Sequence, residues 1–199
     1  MTTIKTLYLN REFIADYEST GDDLKDMELT RSILRDKGLY KEIDRDRAIF
    51  NHAHAFATTS SYLYNRDLQS VPRNGVSLVP FIVNSAFAIE LYLKTIGQLH
   101  KISLRGHDLI ELFDGLPAVA HADIEKHFAK CNWQCGIATL ADYRKALEQL
   151  RGAFVEWRYL YEKQNANIIS FGPLIFTMEV LHETCTSLLN SSTRGTGCS

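Results

Sequence analysis

The 199-residue chain reads as an all-α protein, an up-and-down bundle of four to five main helices with an extra helical segment at the N-terminus. Three stretches point there. Residues 80–99, PFIVNSAFAIELYLKTIGQL, are apolar around too much of the circumference for a surface helix and need neighbours on several sides. Behind Thr139 and Asp142, the residues Leu140, Tyr143, Leu147, Leu150, Phe154, Trp157 and Tyr161 recur at 3,4,3,4,3,4 spacing, a bundle seam. Leu174, Met178, Leu181, Cys185 and Leu188 repeat 4,3,4,3 behind Gly172-Pro173. No strand pattern, internal repeat or low-complexity block stands out, so helix-on-helix packing is the expected architecture.

Residues 1–18 carry Ile4, Leu7, Phe13, Ile14 and Tyr17 in loose periodicity, and they join residues 22–37 in an N-terminal helical segment, 1–38, packed on the main domain. In 22–37 the acids Asp22, Asp23 and Asp26 come first and Arg31, Arg35 and Lys37 last, which complements a helix macrodipole, and Gly38 is a fitting stop. The main domain spans 39–190. It opens with a long helix over 40–69, on which Ile49, Ala53, Phe56 and Leu63 share a face, and turns at 71–75. Ser77 stands as N-cap of the central helix, and Pro80 fits its first turn, where a missing N–H loses no partner. Asp108 with Glu111 three later marks the start of a short helix that Gly115 and Pro117 stop, and 118–131 forms another. The tail 191–199 is polar and small, and is expected to be disordered.

With 45% apolar and 23% charged residues the chain is one ordinary domain with a single core. A net charge of −2 gives no global basic field, so an RNA or nucleotide site has to be a local cluster. Asn84, Glu90 and Lys94 interrupt the longest apolar run before it reaches a bilayer-spanning length, and the N-terminus lacks a signal-peptide core. Four cysteines without CxxC spacing suit a reduced, cytoplasmic chain with no membrane partner. No cofactor is expected.

Glu90 and Lys94 lie i,i+4 inside the oily run, and such a pair needs further hydrogen-bond partners or an opening to water. The candidates are the turn Gly106-His107-Asp108-Leu109 and the i,i+4 pair Arg158 and Glu162. A groove lined by Lys94, His107 and Arg158 would hold a phosphate, with Glu90, Asp108, Tyr159 and Glu162 around it. The same residues also fit a buried polar network that only sets helix register, the commoner arrangement for such types. His127, Cys131 and Cys135 are spaced four apart, but no fourth ligand accompanies them, and they read as core side chains with no metal. Arg144, Glu148 and Arg151 alternate in sign as a solvated face does, and Trp157, Tyr159 and Tyr161 suit core or dimer packing better than base stacking.

The trio SAFAIELYLKTI (85–96), GHDLIELF (106–113) and FVEWRYLYE (154–162) resembles HEPN-domain proteins, over about half of the chain, residues 79–162. The resemblance implies a helical bundle, a homodimer, and a place in a toxin–antitoxin or phage-defence system. It implies RNA or nucleotide binding, often with metal-independent ribonuclease activity, and a cognate antitoxin or nucleotidyltransferase as partner. Ribonuclease members carry Arg-x4–6-His, in which the His is general acid or base and the Arg steadies the phosphate. This chain departs from that pattern, since no histidine follows Arg158. Its only matches are Arg45 with His52, Arg47 with His52, and Arg47 with His54. On a helix Arg47 and His54 share a face whereas Arg47 and His52 diverge. The catalytic candidates are therefore Arg158 with His107, and Arg47 with His54. The rival reading is a non-catalytic helical interaction and dimerisation module.

Overall fold

The computed structural model describes residues 3–40, 42, 44–131, 135–151, 157, 159 and 170–194. The protein is mainly helical with one small sheet, and it divides into two compact units, Met1–Ile43 and Asp44–Ser199.

In the first unit, the helix expected at the very N-terminus is instead an antiparallel hairpin of β1 (Thr3–Leu9) and β2 (Glu12–Ser19), followed by α1 (Asp23–Asp36). Its Thr, Ile, Tyr and Phe content favours strand. Asn10 and Arg11, at φ 51° and 72°, form the two-residue turn whose twist matches paired strands. A bulge hides the hairpin in the sequence. Leu7 faces Ala15 but Tyr8 faces Phe13, so Ile14 is an extra residue that breaks the period-two alternation. The helix is tied to the hairpin by charge. Asp26 is the buried residue of α1, and its carboxylate accepts from Lys5 Nζ (2.8 Å), Ser19 Oγ (2.5 Å), Thr20 N (2.6 Å) and Thr20 Oγ1 (2.8 Å). Asp22 is the N-cap, and Gly38, at φ 66°, follows the helix end as expected.

The second unit is organised around α3 (Leu78–Leu99), whose Phe81, Ile82, Ile89, Tyr92, Leu93 and Ile96 are completely buried. Pro80 sits in its first turn as expected. Ser77 does not cap it, because the Ser77 hydroxyl donates to Asp67, which the Arg66 guanidinium also grips. α2 (Arg45–Leu63) starts at its N-cap Asp44, later than expected, and gives way to a π-helical turn at Tyr64–Leu68. It runs antiparallel to α3, as the contacts of Phe56 with Phe87 and of Phe50 with Tyr92 show. The buried residues of its seam are the small Ala53, Ala57 and Ser60, which admit close approach, while Ile49, Phe56 and Leu63 are half-buried. Ser60 Oγ donates to the Phe81 carbonyl at 2.9 Å.

α4 (Leu109–Asp114), α5 (Ala118–Glu125), α6 (Leu140–Leu150) and α7 (Phe171–Arg194) complete the unit. α7 lies parallel to α3, with its Leu174, Met178, Leu181 and Cys185 buried as the spacing requires. Tyr143 of α6 donates its hydroxyl to the Thr177 carbonyl of α7 at 3.2 Å. Three of these helices differ in length from expectation, and α5 is the first: it stops at Glu125 rather than 131, with a separate 3-10 turn at Phe128–Lys130. α6 stops at Leu150, where Arg151 turns extended (ψ 123°) just before Gly152. Arg158 and Glu162, together with Phe154 and Tyr161, lie outside the described residues. α7 continues through residues 190–194 rather than yielding to a tail, anchored by the buried Leu189 and by a Ser191 Oγ bond to the Ser187 carbonyl. Residues Gly75–Leu99 are long and apolar enough to cross a membrane by length and composition alone, but 56% of their most apolar window is buried inside the protein. That apolarity serves the core.

The charge tie in the first unit makes a testable statement about pH. The hydrogen bonds from Lys5, Ser19 and Thr20 hold the Asp26 carboxyl far below the usual carboxylate range. A depressed folded-state pKa stabilises fully above the unfolded value of about 3.9, and the benefit is lost as pH falls below it. Acid titration by circular dichroism should show the hairpin–helix unit melting in that window, and Asp26→Asn should flatten the dependence while lowering stability at neutral pH.

Candidate functional site

The end of α3 and the loop after it, residues 100–107, build one candidate surface. Gly97 and Gly115 leave a notch that Leu104 fills. A Cβ on Gly97 would stand 2.8 Å from Leu104 Cδ1, and one on Gly115 would stand 3.0 Å from Leu104 Cδ2. Ile102 N donates to the Gly97 carbonyl at 2.8 Å, so the loop folds back on the helix that it leaves. Gly106, at φ 87°, then turns the chain so that Asp108 can cap α4, accepting from Ile110 N (3.0 Å) and Glu111 N (3.3 Å). The other Asp108 oxygen accepts from Arg151 Nε at 2.6 Å. Arg144 forks onto Asp114, with Nε to Oδ1 at 2.8 Å and Nη2 to Oδ2 at 2.6 Å. Arg144 and Arg151 are thus clamps between α6 and α4 rather than a merely solvated face, and both Asp108 oxygens are engaged within the fold.

On the outside of this anchored loop, Lys101, Arg105 and His107 are exposed. Among the described residues no carboxylate is within ion-pair distance of Lys101 or Arg105. Beneath His107, Glu90 is 1% exposed. Its Oε1 accepts from Lys94 Nζ at 2.8 Å and lies 3.0 Å from His107 Nδ1, so it receives that N–H too. Glu90 Oε2 is buried with no hydrogen-bond partner among the described residues. The expected trio of Glu90, Lys94 and His107 does come together. Lys94 keeps a partly exposed side chain, and His107 projects most of its ring into solvent. Tyr159 is half-buried, and Trp157 is buried with no partner for its indole nitrogen among the described residues.

His54 belongs to a different place. Two residues on a helix are about 200° apart, so Glu90 and Tyr92 leave α3 on opposite faces. Tyr92 faces α2 and α7, where its hydroxyl is hydrogen-bonded to His182 Nδ1 at 3.0 Å. The His182 ring lies 5.0 Å from the His54 ring at 26° between planes, and Phe50 is near-parallel to both. A cavity of about 620 Å³ opens here, lined by His54, Thr58, Tyr92, Lys130, His182 and Glu183 among others. Burial, and then the charge of His54, pulls the His182 pKa down, so this imidazole is neutral near pH 7. Burial pushes the Tyr92 phenol up, and burial with Glu179 and Glu183 pushes the Cys131 thiol up to about 11. Cys131 is a thiol there, not a nucleophile. Arg47 is exposed two turns before His54 and is not part of the cavity lining. His54 and His107 therefore cannot share one site. His127 is buried, and no three metal-ligating side chains converge among the described residues.

Lys101 and Arg105 escaped the sequence reading although HKISLRGH, with four basic or histidine residues in eight, was a signal that could have found them. His182, Tyr92 and Lys130 left no such signal, since α2, α3 and α7 meet only in the fold. No family model matches the chain, and neither a curated protein nor a solved structure matches it.

Two substitutions test this construction. Gly97→Val drives side-chain atoms into Leu104 and the Ile102 carbonyl, and overpacking of this kind costs about 1–3 kcal/mol. Its melting temperature should fall, and amide exchange in residues 100–107 should quicken. Glu90→Ala leaves Lys94 and His107 without their shared acceptor, and breaking a buried pair typically costs about 3–5 kcal/mol. Denaturant unfolding should show Glu90→Ala more damaging than Lys94→Met, whose apolar replacement removes a half-exposed charge.

Proposed function

We propose that the chain is a HEPN-like helical domain, an up-and-down bundle acting as a cytoplasmic homodimer, that binds RNA or a nucleotide phosphate on the loop 100–107. The observation that supports it is the exposed Lys101 and Arg105, which meet no carboxylate among the described residues, with His107 on the same loop, which Leu104 anchors, in a chain whose net charge is −2. A cluster of cations that the fold holds in place without neutralising suits a phosphodiester backbone. Arg158 joins this surface in the family resemblance, and a toxin–antitoxin or phage-defence setting, with an antitoxin or nucleotidyltransferase partner, is the context that goes with it.

The bond between Glu90 and His107 favours a second, catalytic reading on the same surface. The buried carboxylate fixes His107 through Nδ1, which leaves Nε2 directed outward to take a proton from a ribose 2′-OH. Arg105, or Arg158, then steadies the phosphate as charge develops. The products are a 2′,3′-cyclic phosphate end and a 5′-hydroxyl end.

Fluorescence anisotropy with single-stranded RNA at low salt tests the binding. The double variant Lys101→Glu, Arg105→Glu should weaken affinity at least tenfold and flatten the log–log salt dependence by about two phosphate contacts. Unchanged affinity in a folded double variant would remove the loop from the proposal. Cyclic-phosphate ends that vanish in His107→Ala, with binding retained, would establish the catalytic reading, since general acid–base help is worth about 10²–10⁴ in rate.

A further inference from the structure

We propose that the cavity between α2, α3 and α7 is a guanine-nucleotide site, with the base against the His54 and His182 rings, its Watson–Crick edge on Glu183 and its phosphate on Lys130. This site lies on the face of α3 away from the loop 100–107, and it stands or falls separately from RNA binding there.

The volume of about 620 Å³ is that of a small-ligand pocket, typically about 300–1,000 Å³. Its wall is made for a flat ring. The His54 and His182 rings line it with centroids 5.0 Å apart and 26° between planes, and such surfaces receive a nucleobase by stacking. The Tyr92 hydroxyl locks the His182 ring in this orientation, so the wall is set before a ligand arrives. A metal ion is a poorer fit, because no three ligands converge among the described residues.

The charges of the lining narrow the ligand further. Among the described lining residues Lys130 is the one ammonium, and His182 adds no positive charge at neutral pH because burial keeps it unprotonated. A single ammonium is a poor match for a polyphosphate or an RNA backbone. The Glu183 carboxylate suits a ligand that brings hydrogen-bond donors. A carboxylate accepts two parallel N–H groups side by side. Among the common nucleobases guanine alone offers adjacent donors, N1–H and the N2 amine, whereas adenine, cytosine and uracil have no two neighbouring donors on that edge. Glu183 is exposed and lines the same cavity as the His182 ring, which gives the cavity an accepting group. Lys130, also exposed, supplies the single cation that a monophosphate needs.

Titration calorimetry on the full chain with GMP, guanosine, IMP and AMP, at near-physiological salt, decides it. GMP should bind. IMP, which lacks only the N2 amine, should bind at least tenfold more weakly, as expected for one lost charge-assisted hydrogen bond. AMP should be weaker still, and guanosine weaker than GMP. Glu183→Gln should lose at least tenfold for GMP without shifting the melting temperature, because the side chain is exposed. The double variant Lys101→Glu, Arg105→Glu should bind GMP as the parent does. Absence of GMP binding to the folded parent, equal affinities for GMP, IMP and AMP, or undiminished binding by Glu183→Gln would each overturn the assignment.

Discussion

Burial of α3 on nearly every side is the constraint from which the second unit follows. A helix whose Phe81, Ile82, Ile89, Tyr92, Leu93 and Ile96 are all removed from water needs neighbours over most of its circumference. α2 meets it through Ala53, Ala57 and Ser60, small enough for the helices to close on each other without a void. α7 meets it through Leu174, Met178, Leu181 and Cys185, and α4 carries Leu109, Ile110, Leu112 and Phe113 onto the remaining side. Within that apolar surround Glu90 is tolerated because Lys94 and His107 reach one of its oxygens. The second oxygen finds no partner among the described residues.

The same helix separates the chemistry of its two faces. On the Glu90 side the cationic groups outnumber the acids left free to meet them, since Asp108 and Asp114 are taken by Arg151 and Arg144. On the Tyr92 side the lining is aromatic with a carboxylate and an ammonium, and burial keeps the His182 imidazole and the Cys131 thiol neutral. A phosphate backbone suits the first environment, and a flat donor-bearing base suits the second. Both are placed by residues with no chemistry of their own. Gly97 and Gly115 seat Leu104 and so position the basic loop, while Ala53 and Ala57 let α2 come close enough to bring His54 to His182.

The N-terminal unit obeys another physics. Its α1 buries no apolar side chain, and its join to the hairpin is the Asp26 carboxylate with four donors. A polar join of this kind is strong only while Asp26 is ionised, and it leaves Ile4, Tyr8, Phe13 and Leu24 largely exposed.

By itself the sequence determined what depends on local pattern. The seams of α6 and α7, the turn at 71–75, the Asp108 cap, the stop at Gly38 and the buried Glu90–Lys94 pair are all set by spacing along one element. Those features needed no knowledge of neighbours. Where one residue altered the pattern, the reading failed: Ile14 as a bulge hid a hairpin, and the extended Arg151 ended α6 short of the length that the seam spacing predicts. Only the tertiary structure decided which ionisable groups meet. It put His107 on Glu90 and His54 on His182, on opposite faces of α3, and it engaged Asp108 with Arg151 across 43 residues. The reason is physical. Helical periodicity reports which face of an element is buried, but the partner across an interface is chosen by packing distance, and that distance is set here by small residues whose identity carries no record of what they bring together.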